Sequence, residues 1–219
     1  MSEQLNEDAL VDSKKFVSRR GGFEINANPE IVPPVQRTRV RVEKSADGFA
    51  HEPLAKKYGS AEARTKIGEM VKAFIPGTTT TPLLVQKKPD GMSLVHVWFG
   101  ANFPLFRHSH PKFGDCLYYV VAGEILMGNQ TLRAGSTFFV PNGQPYKYTA
   151  GPAGVELLEF RAGGGVADAP GMKLDETSFE SMDRIIAGSY ANDADWQVPE
   201  RIGDTALRQA DVDGRLSEI

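Results

Sequence analysis

Four histidines occur in the 219 residues, and two of them stand one residue apart in Phe106-Arg107-His108-Ser109-His110. On a strand, the period of two sends both imidazoles and Phe106 to one face and Arg107 and Ser109 to the other. Two imidazoles aimed into an apolar interior cost free energy to desolvate unless they find partners, and one divalent metal ion satisfies both at once. The plainer alternative is a pair of polar surface histidines. The apolar segments on either side favour the metal or active-site reading. His96, in the run SLVHVWF, brings a third imidazole if Leu94, His96 and Trp98 look inward; its other reading is a hydrogen-bonded core histidine. The single cysteine, Cys116, lies in CLYYVVA and reads as a small buried hydrophobe. Glu156 and Glu159, in VELLEF, are three apart and therefore on opposite strand faces, so at most one can serve as an interior base.

A scaffold must hold these groups. The chain has 22 Gly and 14 Pro, about one residue in six, which favours a turn-rich, all-β architecture over a helical bundle. Residues 78–162 contain the segments PLLVQ, SLVHVWF, FRHSH, CLYYVVAGEILMG, QTLRAG, STFFVP, YKYTAG and VELLEF, broken by Gly or Pro at regular intervals, including a Pro89-Asp90-Gly91 turn. That rhythm predicts a barrel or sandwich. Residues 1–77 read as a polar N-terminal arm followed by one short helix over 61–74, where Ile67, Met70, Val71 and Phe74 recur at helical spacing. Within the arm, Arg37, Arg39 and Arg41 alternate as on a solvated strand edge. Residues 163–219 form a C-terminal extension: a break at Gly163-Gly164-Gly165, a short helix ending at Gly188, and an acidic tail from about 190 anchored by Trp196 and otherwise loose.

Charge and cysteine content exclude several classes. The net charge is −3, and the acidic excess sits after residue 160, where 12 acidic residues face 6 basic ones. No region carries the basic patch that a nucleic-acid binder needs. One cysteine excludes an intrachain disulfide and multi-cysteine zinc frameworks, which points to a reducing, cytoplasmic setting. No apolar run is long enough to cross a bilayer, so no membrane partner is expected. The run CLYYVV lacks apolar/polar alternation, which predicts that docked helices or a second subunit cover its outer face. A homodimer through the barrel and the N-terminal arm is the expectation.

The stretch from Gly100 to Phe160 resembles the cupin superfamily. Its first motif, a His-x-His followed by a Glu and a Gly, is similar to HSHPKFGDCLYYVVAGE, with His108, His110 and the turn glycine Gly123. Its second, a Gly-x5-Pro-x-Gly-x2-His, is similar to GSTFFVPNGQPY, with Gly135, Pro141 and Gly143 at the family spacing. The resemblance implies a jelly-roll barrel, often dimeric, holding a metal inside by two or three His and a Glu. This chain departs from the pattern twice: the Glu position is Cys116, with Asp115 the nearest carboxylate, and the second-motif His is Tyr146.

Three readings follow. His108, His110 and Asp115 could form a two-His-one-carboxylate face for Fe(II), making the protein a metal-dependent enzyme on a small organic molecule, with a dioxygenase leading among lyases and isomerases. Cys116 or Tyr146 could instead ligate the metal. In the third reading no metal binds, and the barrel is a binding or sensing module without catalysis. Tyr146 is the catalytic candidate, orienting or protonating the substrate, or else an aromatic that fills the barrel mouth.

Overall fold

A computed structural model describes residues 15–17, 24–27, 29–86, 91–163 and 171–217. In chain order, a short antiparallel pair, β1 (Lys15–Val17) and β2 (Glu24–Asn26), precedes α1 (Arg39–Asp47), β3 (Phe49–Ala50), α2 (Glu52–Tyr58) and α3 (Ser60–Phe74). Then come β4 (Thr78–Val85), β5 (Ser93–Phe99), β6 (His108–Ser109), β7 (Cys116–Met127), β8 (Gln130–Arg133), β9 (Thr137–Val140) and β10 (Thr149–Arg161). β11 (Met172–Leu174), α4 (Phe179–Asn192) and α5 (Thr205–Ser217) complete the series. The main sheet runs β4-β5-β10-β7-β8 with β9 also on β7, and a smaller sheet runs β3-β11-β6. Inward residues of both sheets line one cavity, so together they close a jelly-roll-type barrel.

The architecture is not all-β. Helices hold as many residues as strands, and the N-terminal arm accounts for much of the difference. The arginines at 37, 39 and 41 do not form a strand edge: Thr38 caps α1 by accepting from the Arg41 N–H, and Val42 and Ala46, one turn apart, are buried. Two buried apolar positions in nine residues, with Val40 exposed, are too weak a stripe to reveal this helix from sequence. α1 and α2 pack on α3, whose Ile67, Met70, Val71 and Phe74 are buried at the expected spacing.

YKYTAG and VELLEF are not separate strands across a turn; most of their length belongs to the single strand β10, which shifts register on β7 between Ala150 and Val155. Gly123 lies opposite that shift with φ 73°, and a Cβ there would run into the Gly154 carbonyl, so the turn glycine is required by close backbone approach. The tail beyond residue 190 is also more ordered than expected. Trp196 lies against Gly77 and Gly100, where any Cβ would collide with its indole, and donates its ring N–H to Ala101 O at 2.9 Å. α5 then docks on β10 and β7. The expected Pro89-Asp90-Gly91 turn and the Gly163–Gly165 break fall mostly outside the described residues.

Candidate functional site

The barrel cavity, about 150 Å³, has an apolar end and a polar end. Phe74, Phe99, Phe103, Phe106 and Leu157 form the first, while His108, His110, Tyr118, Tyr146, Glu159 and Arg161 form the second. The flanking segments help to build it, since Phe49 of β3 and Met172 of β11 also line the wall.

His108 and His110 are both buried. Only His108 and Ser109 are strand residues, yet the local geometry still turns both imidazoles to one side. Ser109, facing away, donates to Asp175 at 2.6 Å, and Glu176 accepts the Arg107 N–H at 2.8 Å, so the next segment grips the motif from outside. Each imidazole is held through Nδ1, His108 to Phe106 O at 3.0 Å and His110 to Gly171 O at 3.1 Å. A carbonyl only accepts, so Nδ1 carries the proton and Nε2 presents a lone pair. The two Nε2 atoms face each other at 3.2 Å. Burial, and then the neighbouring His110, pushes the His108 pKa down to about 3; burial likewise lowers that of His110.

That arrangement fits a metal ion in one respect and leaves it incomplete in another. Two buried lone pairs converging on one point lack a donor between them, and a divalent cation satisfies both. Among the described residues, however, no group of three or more His, Cys, Asp or Glu is placed to hold an ion. Asp115 does not reach the histidines. It stands exposed, one residue out of phase with the inward-facing Cys116 and Tyr118, and its carboxylate accepts the Asn142 N–H at 2.9 Å. Cys116 is buried, and burial pushes its thiol pKa up to about 12, which keeps it protonated.

The carboxylate that shares the cavity is Glu159. It binds Arg161 at 3.0 Å and accepts from the Tyr118 hydroxyl, also at 3.0 Å. Burial opposes its ionisation, but the Arg161 guanidinium, His110 and the hydrogen bonds hold its pKa below the ordinary value. Tyr118 and Tyr146 hydroxyls are 2.6 Å apart. An ionised Glu159 can only accept, so the Tyr118 proton is spent on it and Tyr146 must donate to Tyr118. The result is a directed chain, Tyr146 to Tyr118 to Glu159, terminated by Arg161. Burial raises both phenol pKa values, so each stays protonated. Tyr146 is tied to His108 through paired backbone hydrogen bonds of 3.1 and 3.0 Å, which fixes its ring beside the imidazole.

Sequence reasoning did not single out Tyr118 or Arg161. The only available signal was alternation along β7 and β10 in phase with Glu159. Of the two readings of His96, the hydrogen-bonded buried histidine holds: the inward residues of β5 are Val97 and Phe99, and His96 is buried on the outer face, bonded to Glu156 at 2.9 Å.

No family model matches the chain, and no curated protein matches it. Solved structures do. A DMSP lyase structure matches at 21% identity and TM-score 0.40, over 47% of this chain and 55% of that one. An RmlC-like cupin from Shewanella frigidimarina matches at 24% identity and TM-score 0.34, over 40% and 77%. The polyketide cyclase RemF from Streptomyces resistomycificus matches at 18% identity and TM-score 0.39, over 52% and 82%. The chain thus aligns with about half the length of the DMSP lyase chain.

Proposed function

We propose that this chain is a cupin-type barrel protein that transforms a small organic molecule in its cavity with the help of a divalent ion held by His108 and His110. The observation that carries this reading is the convergence of two buried, unprotonated Nε2 atoms at 3.2 Å. A bound ion would act as a Lewis acid on a substrate oxygen. The remaining work falls to the protein's own groups. The phenyl-lined end takes the apolar part of the substrate and excludes water. Tyr146 gives its proton to Tyr118, so at the polar end its hydroxyl oxygen is left to accept from a ligand donor, with Tyr118 and Glu159 fixing that direction. A cavity of about 150 Å³ is benzene-sized, so the substrate is small. The expectation of iron(II) and dioxygen chemistry rested on Asp115 completing a facial set; with Asp115 outside the barrel, the proposal retains the ion and not the oxygenase assignment.

A metal-free binding barrel is favoured by one observation: no third His, Cys, Asp or Glu closes around the imidazoles among the described residues. Elemental analysis of untagged protein separates the two. Roughly one divalent ion per chain is expected, lost in His108→Ala/His110→Ala with the circular dichroism spectrum unchanged. An ion content that is negligible in the natural chain, or equal in the variant, establishes the metal-free reading instead.

A further inference from the structure

Outside the barrel, α4 and the segments Pro104-Leu105 and Lys147-Tyr148-Thr149 enclose a second cleft of about 340 Å³, more than twice the volume of the barrel cavity and within the range of small-molecule sites. Local pairing builds its floor. Pro104 bridges to Thr149 and the Leu105 N–H donates to Tyr148 O at 3.0 Å, while Thr149 pairs with Leu126 of β7. α4 comes down on Pro104 at Gly188, where an added Cβ would stand 3.3 Å from the proline Cγ. Toward the start of the helix, Ile185, Arg184 and Ser181 share that face and line the cleft instead.

Three charged side chains line this space. Lys147 and Arg184 are exposed, and neither side chain makes an ion pair or hydrogen bond among the described residues. Glu176 is only 5% exposed. Its Oε1 accepts the Arg107 N–H at 2.8 Å, but Oε2 has no partner among the described residues and is not sealed from solvent. A buried carboxylate with one oxygen unpaired is costly, and the two cations stand in the open without pairing to it. Beside these charges, Leu126 and Ile185 supply an apolar wall. We infer that the cleft binds a small zwitterion of the α-amino acid type with an aliphatic side chain. The ligand carboxylate meets the Arg184 fork and Lys147, its ammonium donates to Glu176 Oε2, and its side chain covers Leu126 and Ile185. A simple anion would leave Glu176 unpaired, and a simple amine would leave both cations so. The ligand lies outside the barrel, on the far side of Leu105 and Tyr148, which line both spaces. The inference is independent of the proposed chemistry at His108 and His110.

Isothermal titration calorimetry of the full chain with L-leucine tests it. A dissociation constant on the order of 0.1 mM is expected, and isocaproate, which lacks the ammonium, should bind roughly tenfold more weakly. Glu176→Gln keeps an acceptor for the Arg107 N–H and should bring L-leucine down to the level of isocaproate. Arg184→Gln/Lys147→Gln, at two exposed positions, should weaken both ligands by roughly tenfold or more. His108→Ala/His110→Ala should bind L-leucine as the natural chain does, because the ligand is outside the barrel. Should Glu176→Gln fail to fold, the natural chain's preference for L-leucine over leucate, in which a neutral hydroxyl replaces the ammonium, serves instead. No binding at about 10 mM L-leucine, equal affinity for L-leucine and the two acids, or binding that is lost with the histidines or indifferent to Arg184 and Lys147 would overturn the inference.

Discussion

Glu156 and Glu159 stand three residues apart on β10, both buried and both ionised, yet they belong to different parts of the molecule. Glu156 faces out of the barrel and accepts from His96 at 2.9 Å and from the N–H groups of Gly203 and Thr205, each at 2.8 Å. Its carboxylate sits at the start of α5, where the helix dipole and unpaired N–H groups favour negative charge. Burial opposes the charge, but these three donors more than offset it and hold the pKa below the ordinary carboxylate value. Glu159 faces inward, and its partners are the side chains of Arg161 and Tyr118 at the edge of a cavity. One carboxylate holds a helix in place; the other draws the hydroxyl protons of Tyr118 and Tyr146 toward itself and leaves the Tyr146 oxygen as an acceptor at a ligand space. Burial and a displaced pKa do not by themselves mark a functional group, and the kind of donor and the presence of an adjacent cavity separate the two.

The largest expected effect tests the outer member of the pair. Glu156→Gln should destabilise the fold by about 3 kcal/mol, because it leaves buried donors poorly matched; for a chain of this size that is a drop of roughly 6–12 °C in Tm. Hydrogen exchange should show the loss concentrated in α5. An unchanged α5 would show that Glu156 does not hold that helix in place. Acid titration comes next. The folded pKa of Glu156 lies below its unfolded value of about 4.3, so its contribution is complete above that pH and is lost as the pH falls through the folded value. Chemical denaturation from neutral pH down to about 3 should therefore show a steeper loss of stability in the natural chain than in Glu156→Gln. Tyr118→Phe, on the inner side, should cost only about 1 kcal/mol of stability while impairing ligand binding or turnover, because it breaks the chain between Tyr146 and Glu159. Smallest in stability is Tyr146→Phe, at about 0.5 kcal/mol, since its hydroxyl serves only as the terminal donor. Its effect belongs in kcat, and an unaltered kcat would reduce Tyr146 to a wall residue.

Legibility in the sequence varied with the range of the contact involved. The pairing of the imidazoles and the face of α3 follow from spacing within a few residues, whereas Gly123 is needed because the distant Gly154 carbonyl approaches it, and α4 does not end at Gly188 but runs on to Asn192. The opposition of Glu156 and Glu159 is also local, and the structure shows it. Which way each one faced was not local. The run SLVHVWF is apolar on both faces, so its phase could not be read; the start of α5, more than a hundred residues later in the chain, closes over Glu156, the partner of His96, and the outer face there is as buried as an interior. Asp115 is the carboxylate nearest the motif position, and strand alternation sends it outward. The outer face of CLYYVV, expected to be covered, is half exposed in a single chain at Leu117 and Tyr119.

What the sequence by itself determined is therefore the barrel's strand rhythm and a pair of imidazoles on one side of the chain, because period-two geometry and turn chemistry act over a few residues. Only the tertiary structure decided which carboxylate joins those imidazoles, which histidine lies outside, and which segment holds His110 in place. Those outcomes depend on partners about 60 residues apart, Glu156 with His96 and His110 with Gly171, and no local spacing encodes a contact made by folding the chain back on itself.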